Sequence, residues 1–322
     1  MKKLLIHLLA LLASAGTYAQ KRMVVAVDGS GDFKTVQAAF DAVPAGNKKP
    51  VEIFVKKGIY KERLVLDSTK TFVTLTGEDK DQTILTYNNH VGMPPVNGQA
   101  MSTPGSASIF IYAGNFKARN ITFQNDAGFT AGQAVAVFAW GDKLIFDNCR
   151  FIGFQDVLYT SGPNSRQYYH DCYIEGTTDF IFGPATCVFQ DCAIYSKKNS
   201  HVTAASTPQN TGYGYVFFDC KLTGDTSLHS VSLGRPWRPY AAVAYIRCHI
   251  GPHIKPEGWS NWNQTESYKT ARYSEYKNTG PGANPTGRVT WAHQLTDEEV
   301  KAYTLKNILG GNDDWNPLKE IK

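Results

Sequence analysis

Two aspartates that lie 23 residues apart have apolar and aromatic neighbours. Asp156 occurs in the sequence GFQDVLY and Asp179 in the sequence GTTDFIFG. Burying a carboxylate costs several kcal/mol unless a partner compensates its charge. Arg235 is a candidate partner, because it also stands among apolar residues, in the sequence LGRPW. Two semi-buried carboxylates, an arginine and a nearby indole are typical of a hydrolytic site for a sugar.

The elements that must position these residues are indicated by a repeat. Five of the six cysteines share one local pattern, in which a polar residue precedes Cys and an apolar residue follows two positions later: Cys149, Cys172, Cys192, Cys220 and Cys248. Short strands that recur at intervals of 20 to 28 residues predict a parallel β-helix, in which each turn stacks on the last. We expect these cysteines to form one inward column, in which Cys172 and Cys192 are close enough to oxidise.

The same repeat predicts that the two aspartates meet. Asp156 follows Cys149 by seven residues, and Asp179 follows Cys172 by seven. Equal offsets place both carboxylates on one face of adjacent turns, whereas the simpler alternative is two unrelated turn residues. Two carboxylates in contact do not ionise together readily. We therefore expect one to hold a proton and the other to be kept ionised by Arg235.

Helices are expected only at the two ends of the coil. The segment 35–43 (TVQAAFDAV) is amphipathic and ends before a proline, so it predicts a short helix that caps the N-terminal end. Thr296 and Glu299 form a capping box for a second helix through Ile308, which we expect to pack along the coil. Residues 87–105 read as a long loop. The predicted fold class is all-β, a right-handed parallel β-helix.

The first residues read as a secretory signal. Lys2 and Lys3 precede the apolar run 4–13, and residues 17–19 (TYA) form a small-x-small cleavage site. A membrane anchor is the alternative, but this run is too short to span a bilayer. We therefore predict a signal peptide over residues 1–19, one catalytic domain over residues 20–322, and export to the periplasm or the medium.

The charge of the chain is mildly basic. Removal of residues 1–19, which carry two lysines, lowers the formal charge from +5 to +3. This excess suits a polyanionic substrate, but it is too small and too scattered to indicate nucleic acid binding. No CxxC spacing is present, so we predict no metal site.

Seven segments together carry a family resemblance. In chain order they are VAVDGSGDFKTVQAAFDAVP (25–44), GIYKE (58–62), QAVAV (133–137), GFQDVLY (153–159), GTTDFIFG (176–183), LGRPW (233–237) and YKNTGPGA (276–283). On these segments the chain resembles the pectin methylesterases (pectinesterases) from about residue 24 to about residue 317. The resemblance is to the bacterial secreted type. No long inhibitor-like segment separates the predicted signal from Val24, so the enzyme is expected to be active once exported.

The resemblance implies both an activity and a role for each site residue. The expected reaction releases methanol from galacturonate methyl esters of pectin, leaving pectate, without a cofactor. Asp179 corresponds to the nucleophile, Asp156 to the acid/base and Arg235 to the residue that orients the nucleophile. Gln133 and Gln155 correspond to the donors that stabilise the oxyanion. From spacing alone, side-chain stacking of the two glutamines along the coil is the alternative.

The resemblance also implies a substrate cleft with aromatic walls. Trp237 follows Arg235 by two residues, so both side chains point to one side of a strand. Trp259, Phe180 and Tyr159 match cleft positions of the family, and the role of Trp262 is open. The expected partner is methyl-esterified homogalacturonan, bound by a monomer.

Three other functions remain open from the sequence. A β-helix polysaccharide lyase would use Ca²⁺ and a basic residue, although the sequence FIF after Asp179 is a poor setting for such an ion. A non-catalytic carbohydrate-binding β-helix would not need both aspartates and Arg235. A related esterase acting on another acyl group is also consistent with these motifs.

Ser206 and Pro208 stand where plant members of the family usually have an arginine. We therefore expect the cleft that flanks the site to differ from theirs.

Overall fold

The computed structural model describes residues 21–95, 98–263 and 265–321. The predicted signal peptide lies outside these residues. The strands of the described residues, numbered in chain order, are β1 (Lys21–Val25), β2 (Val51–Val55), β3 (Gly58–Lys61), β4 (Leu64–Leu66), β5 (Val73–Gly77), β6 (Thr83–Tyr87), β7 (Ile109–Ile111), β8 (Lys117–Arg119), β9 (Thr122–Asn125), β10 (Val137–Ala139), β11 (Leu144–Asp147), β12 (Arg150–Ile152), β13 (Leu158–Thr160), β14 (Arg166–His170), β15 (Tyr173–Gly176), β16 (Ile181–Gly183), β17 (Thr186–Gln190), β18 (Ala193–Ser196), β19 (His201–Ala205), β20 (Tyr215–Phe218), β21 (Lys221–Gly224), β22 (Ser232–Gly234), β23 (Ala242–Ile246), β24 (His249–Ile250), β25 (Arg272–Tyr276) and β26 (His293–Gln294).

The strands form three parallel sheets that wind as one coil. Sheet A contains β1, β2, β5, β8, β11, β14, β17, β20, β23, β25 and β26; sheet B contains β3, β6, β9, β12, β15, β18, β21 and β24; sheet C contains β4, β7, β10, β13, β16, β19 and β22. Each full turn takes one strand from each sheet, as β11, β12 and β13 do. The next turn repeats this order one strand further along, so β11 pairs with β14. The predicted right-handed parallel β-helix is confirmed.

One residue with a left-handed backbone marks each corner between sheets A and B. Its φ lies between 49° and 55° in six successive turns, at Asn120, Asn148, Asp171, Asp191, Asp219 and Arg247. Asn and Asp adopt this conformation more readily than other non-glycine residues. The polar residue that precedes each cysteine of the repeat therefore occupies the corner between the two sheets. The repeat was interpreted as a single strand, whereas each unit spans the bend between two strands.

The cysteine column occupies the inside of this corner. All six cysteines are buried free thiols. In four successive turns the Sγ atom contacts a backbone oxygen of the preceding turn, as in the 3.4 Å contact of Cys172 with Phe146 and the 3.5 Å contact of Cys192 with Tyr169. The predicted inward column is confirmed, and Cys172 and Cys192 are not joined. Beside it, five rings stack at 4.4–4.9 Å along the coil: Phe146, Tyr169, Phe189, Phe217 and Tyr245.

The N-terminal end of the coil is covered by helix α1 (Val36–Ala42). Thr35 caps it by accepting a hydrogen bond from the backbone N of Ala38, and the carboxylate of Glu62 accepts from the N of Val36. Val36, Ala39 and Phe40 are buried in the core. The predicted capping helix is confirmed.

The C-terminal segment departs from the predicted continuous helix. The capping box forms, because Thr296 and Glu299 exchange hydrogen bonds of 2.8 and 3.2 Å. Only a 3₁₀ turn follows, and Thr304 then caps a separate helix, α2 (Leu305–Leu309). Ile308 and Leu309 pack on the outer face of sheet A, so the predicted packing on the coil is confirmed. The 3₁₀ turns are Pro104–Ser106, Glu266–Lys269, Pro281–Ala283, Pro285–Gly287, Glu299–Ala302 and Pro317–Lys319.

The described residues contain no helix that is long and apolar enough to cross a bilayer. The predicted long loop follows β6 and, in its described part, carries no helix before the 3₁₀ turn Pro104–Ser106. This loop brings Thr103 and Pro104 to the outer face of sheet C.

Candidate active site

The outer face of sheet C carries an aromatic row that supports the site. Phe110, Phe138, Tyr159 and Phe182 occupy paired positions on four consecutive strands. The rings of Tyr159 and Phe182 stack at 4.3 Å. Because strand pairing is parallel and in register, one outward aromatic on each turn produces a continuous apolar floor.

The two aspartates lie at the corner where sheet B leads into sheet C. Both have left-handed backbones, with φ of 63° at Asp156 and 49° at Asp179. The backbone N of Asp156 donates to the O of Thr178 at 3.0 Å, next to Asp179. Strands β13 and β16 pair Leu158 with Ile181, which is the 23-residue offset that separates the aspartates. The predicted placement on equivalent positions of adjacent turns is confirmed.

Arg235 binds the carboxylate of Asp179 through two hydrogen bonds. Its Nε donates to Oδ1 at 3.0 Å and its Nη2 donates to Oδ2 at 2.6 Å. The guanidinium also lies 4.0 Å from the ring centroid of Trp262. Arg235 has little rotational freedom, because Asp179 binds its guanidinium at two points and the ring of Trp262 covers one face of it. The carboxylate of Asp179 is therefore held in one orientation.

The segment after β22 delivers Arg235 to this position. The N of Arg235 donates to the O of Thr203 at 2.9 Å, and the N of Trp237 donates to the O of Ala205 at 2.9 Å. The chain thus stays extended beyond the strand, and the two side chains fall on one side. A Cβ on Gly234 would lie 2.0 Å from Oγ1 of Thr203, so this close approach requires glycine.

Gln133 and Gln155 are neighbours on adjacent turns, where they form an isolated parallel bridge. The side chain of Gln155 acts to lower the pKa of Asp156, against the larger effect of burial. Both amides face the cleft that contains the aspartates. Amide N–H groups are donors that do not ionise, so both glutamines are placed to bind an oxygen that acquires negative charge.

These side chains surround one cleft of about 360 Å³. Its walls are Thr103, Pro104, Gln133, Gln155, Asp156, Tyr159, Asp179, Phe182, Ala204, Arg235, Trp237 and Trp262. Seven of the nine predicted site residues are therefore together: Asp179, Asp156, Arg235, Gln133, Gln155, Trp237 and Tyr159.

Burial and mutual repulsion distinguish the two carboxylates. The pKa of Asp156 is raised well above its usual value, first by burial and then by the charge of Asp179, which Arg235 only partly offsets. The pKa of Asp179 is raised less, because the hydrogen bonds and charge of Arg235 work against burial. Asp179 is therefore the carboxylate that ionises first, and Asp156 keeps its proton to higher pH.

His201 lies beside the two aspartates, and its imidazole stays uncharged at neutral pH. Its backbone O accepts from the N of Asp179 at 2.8 Å, and its Nδ1 is 2.7 Å from Oγ of Ser232. Burial, and then the charges of Arg235 and Lys255, lower the pKa of His201 to about 3. His201 is thus a neutral structural residue beneath the nucleophile candidate.

The cleft positions predicted for Phe180 and Trp259 are wrong, because both side chains lie in the core. Phe180 is fully buried and follows Val157, another core residue, by the same 23 residues that relate the aspartates. Trp259 is 1% exposed, and its Nε1 donates to Oε1 of the buried Glu275 at 3.2 Å. The indole N–H of Trp259 is thus satisfied inside the core by a buried carboxylate.

The sequence interpretation missed Phe182 and left Trp262 open. Phe182 is the residue that pairs with Tyr159, so the 23-residue offset already pointed to it rather than to Phe180. Trp262 carries no comparable signal, because it belongs to no strand and meets Arg235 only through the fold. The described residues contain no group of three or more His, Cys, Asp or Glu side chains arranged to hold a metal ion.

Comparisons with known proteins extend over nearly the whole chain. The family model described as Pectinesterase matches residues 22–312. Pectinesterase 31 of Arabidopsis thaliana is 39% identical over 304 residues, covering 92% of this chain and 95% of the relative. Relatives named pectinesterase/pectinesterase inhibitor are longer, and the chain spans about half their length.

Solved structures agree with the sequence matches. Pectin methylesterase from carrot has a TM-score of 0.86 and 34% identity, covering 96% of this chain and 98% of that one. A pectin methylesterase solved in complex with a hexasaccharide has a TM-score of 0.81 and 27% identity, covering 93% and 99%.

Replacing Asp156 by Asn is expected to stabilise the folded protein, by an amount that grows with pH. A raised folded-state pKa means that the folded protein tolerates the ionised carboxylate less well than the unfolded chain does. The penalty is absent below the unfolded pKa of about 3.8 and increases until the pH passes the folded pKa. Thermal melts should therefore show a Tm gain for Asp156→Asn that is larger at pH 7 than at pH 4.

Asp171→Asn is the matched control, because Asp171 has the same left-handed backbone and is exposed. Its effect should stay within about 0.5 kcal/mol of zero at every pH. A Tm gain for Asp156→Asn that does not depend on pH would contradict the buried, coupled carboxylate described here.

Proposed function

This chain belongs to the pectinesterase family, and we propose that Asp179, Asp156 and Arg235 perform its reaction. The protein is a carboxylic ester hydrolase that removes methyl esters from galacturonate in pectin, releasing methanol and pectate. The observation that carries the residue assignment is the two-point contact between Arg235 and Asp179, formed beside a second buried carboxylate.

In the proposed first step, Asp179 attacks the ester carbonyl carbon. The carbonyl π electrons move to oxygen, and the tetrahedral oxyanion is bound by the amides of Gln133 and Gln155. When the carbonyl reforms, the bond to the methoxy oxygen breaks. Asp156 gives its proton to that oxygen, and methanol leaves. An anhydride between Asp179 and the galacturonate carboxyl group remains.

In the proposed second step, the newly ionised Asp156 acts as a base. It takes a proton from a water molecule, and the hydroxide attacks the galacturonate carbonyl of the anhydride. The bond to Asp179 breaks, so the products are a free galacturonic acid unit and an ionised Asp179, with the proton back on Asp156. The new carboxylic acid releases its own proton to the solvent and leaves as galacturonate. The starting arrangement of charges, in which Arg235 faces ionised Asp179, is thereby restored.

The cleft suits a sugar with an uncharged ester. Tyr159, Phe182 and Trp237 provide aromatic surface, and the glutamine amides provide polar edges. We propose methyl-esterified homogalacturonan as the polymer bound here. A pectin methylesterase of similar fold has been solved with a hexasaccharide, which supports a site for several sugar units.

Other parts of the proposal rest on the sequence. We propose that residues 20–322 form one catalytic domain, and the unbroken run of sheet A from β1 to β26 supports it. Export through the segment 1–19 to the periplasm or the medium, and action as a monomer, remain predictions.

Esterase and lyase chemistry give different products, which provides the first test. Pectin incubated with the purified protein should release methanol without any increase in ultraviolet absorbance from an unsaturated sugar. EDTA should leave the rate unchanged. Absorbance that rises with time and is abolished by EDTA would instead indicate a Ca²⁺-dependent lyase.

Asp179→Asn should lower kcat for methanol release by at least about 100-fold, because the amide is a poor nucleophile of the same shape. KM should change little, since the cleft is preserved. Circular dichroism and Tm report folding, and Asp171→Asn is the matched control with full activity. A folded Asp179→Asn enzyme that keeps more than about a hundredth of the wild-type kcat would exclude Asp179 as the nucleophile.

A further inference from the structure

Gln133 lies just before strand β10, in a segment with a regular neighbour on one side only. On that side, the N of Ala134 donates to the O of Gln155 on the next turn at 3.1 Å. On the side of the preceding turn, no strand of the described residues pairs with Gln133, because the chain leaves the coil there as the long loop between β6 and β7. Buried backbone groups without a strand partner need other hydrogen-bond partners.

Asn125 supplies several of these partners from the end of β9, where its side chain is buried. Its Nδ2 donates to the O of Val135 at 3.0 Å and to the O of Asn89 at 2.9 Å. Its Oδ1 accepts from the N of Ala127 at 3.0 Å. One buried amide thus joins the long loop, the loop after β9 and the segment that carries Gln133.

Ser106 makes a second set of contacts with the same segment. Its buried Oγ accepts from the N of Val135 at 3.2 Å and donates to the backbone O three residues earlier at 2.6 Å. Its own O lies 3.3 Å from Nδ2 of Asn125. The N of Val91, on the long loop, donates to the O of Gln133 at 3.0 Å. Two side chains and one loop amide therefore take the place of a strand beside Gln133.

The loop that leads into Gln133 cannot fix its position. Gly128 and Gly132 have left-handed backbones, with φ of 104° and 85°, and a Cβ added to either would meet no described atom within 4 Å. Glycines in open space adopt many backbone conformations. The orientation of the Gln133 amide therefore depends on the contacts of the residues that follow it.

We propose that Asn125 and Ser106 are positioning residues for Gln133, which hold its segment so that the amide faces the oxyanion formed on the ester carbonyl. This inference rests on the proposed function, in which Gln133 is an oxyanion donor. Neither Asn125 nor Ser106 belongs to the walls of the cleft. A misplaced oxyanion donor weakens binding of the transition state more than binding of the ester, so kcat falls while KM changes little.

The test compares Asn125→Ala and Ser106→Ala with Gln167→Ala. Gln167 is a matched control, because it is another buried amide, whose Nε2 donates to the O of Ala139 at 3.0 Å and to Oγ of Ser165 at 2.9 Å, away from the cleft. On methyl-esterified homogalacturonan, Asn125→Ala should lower kcat about 10- to 100-fold and change KM by less than about 2-fold. Ser106→Ala, the milder substitution, should lower kcat about 3- to 10-fold. Gln167→Ala, assayed below its Tm, should keep the wild-type kcat.

A double variant separates positioning from a general loss of structure. Gln133→Ala alone should lower kcat about 10- to 1000-fold, as for loss of one oxyanion donor. Adding Asn125→Ala should lower kcat by less than about 3-fold more, because the amide that Asn125 positions is already absent. Effects that multiply in the double variant, or a change in KM without a change in kcat, would overturn the positioning role.

Hydrogen–deuterium exchange tests the same contacts without turnover. Backbone amides of residues 133–139 should exchange at least about 5-fold faster in Asn125→Ala than in the wild-type protein, because buried hydrogen bonds are lost. Gln167→Ala should leave their exchange unchanged. Equal exchange in Asn125→Ala and the wild-type protein would overturn the proposal. If the wild-type protein released no methanol, the proposed function would fail, while exchange would still decide whether Asn125 holds this segment.

Discussion

The structure of the site depends on the contact between Arg235 and Asp179. Adjacent turns of the coil place Asp156 and Asp179 at equivalent corners, where little water reaches either carboxylate. Both cannot ionise there without compensation, and only Asp179 has a cation bound through two hydrogen bonds. One arginine thereby makes two chemically identical side chains different, as the proposed roles of nucleophile for Asp179 and acid for Asp156 require. Hydrolysis of an ester through a covalent intermediate needs this asymmetry.

The β-helix maintains the asymmetry through its backbone. Asp156 and Asp179 are held by parallel hydrogen bonds between neighbouring turns, and Arg235 comes from a later turn that pairs with β19. Trp262 covers the guanidinium from the other side. The stacked core beneath these turns, from Phe146 to Tyr245, leaves little room for one turn to slide over the next. A rigid coil suits a site whose chemistry depends on the position of one proton.

Much of this was readable from the sequence, because a parallel coil converts sequence offset into contact. The cysteine repeat predicted the turns, and a shared offset of 23 residues predicted that the aspartates meet. The same offset relates Tyr159 to Phe182 and Val157 to Phe180, so the equivalent residue on the preceding turn separates the cleft residue Phe182 from the core residue Phe180. Contacts that break the repeat carried no such signal. Trp259 can lie in the core because Glu275 accepts a hydrogen bond from its indole N–H. The predicted C-terminal helix is divided because Thr304 caps a separate helix, α2.

The pH dependence of kcat/KM in Arg235 variants tests the central claim most directly. The charge of Arg235 lowers the pKa of Asp179, so Arg235→Leu should let the proton move towards Asp179 and shift the acid limb of the profile to higher pH. Arg235→Lys restores a charge without the two-point contact and should recover only part of the shift. An Arg235→Leu profile that falls in height while its acid limb stays in place would show that Arg235 acts by positioning alone, and would contradict the electrostatic division of the two carboxylates.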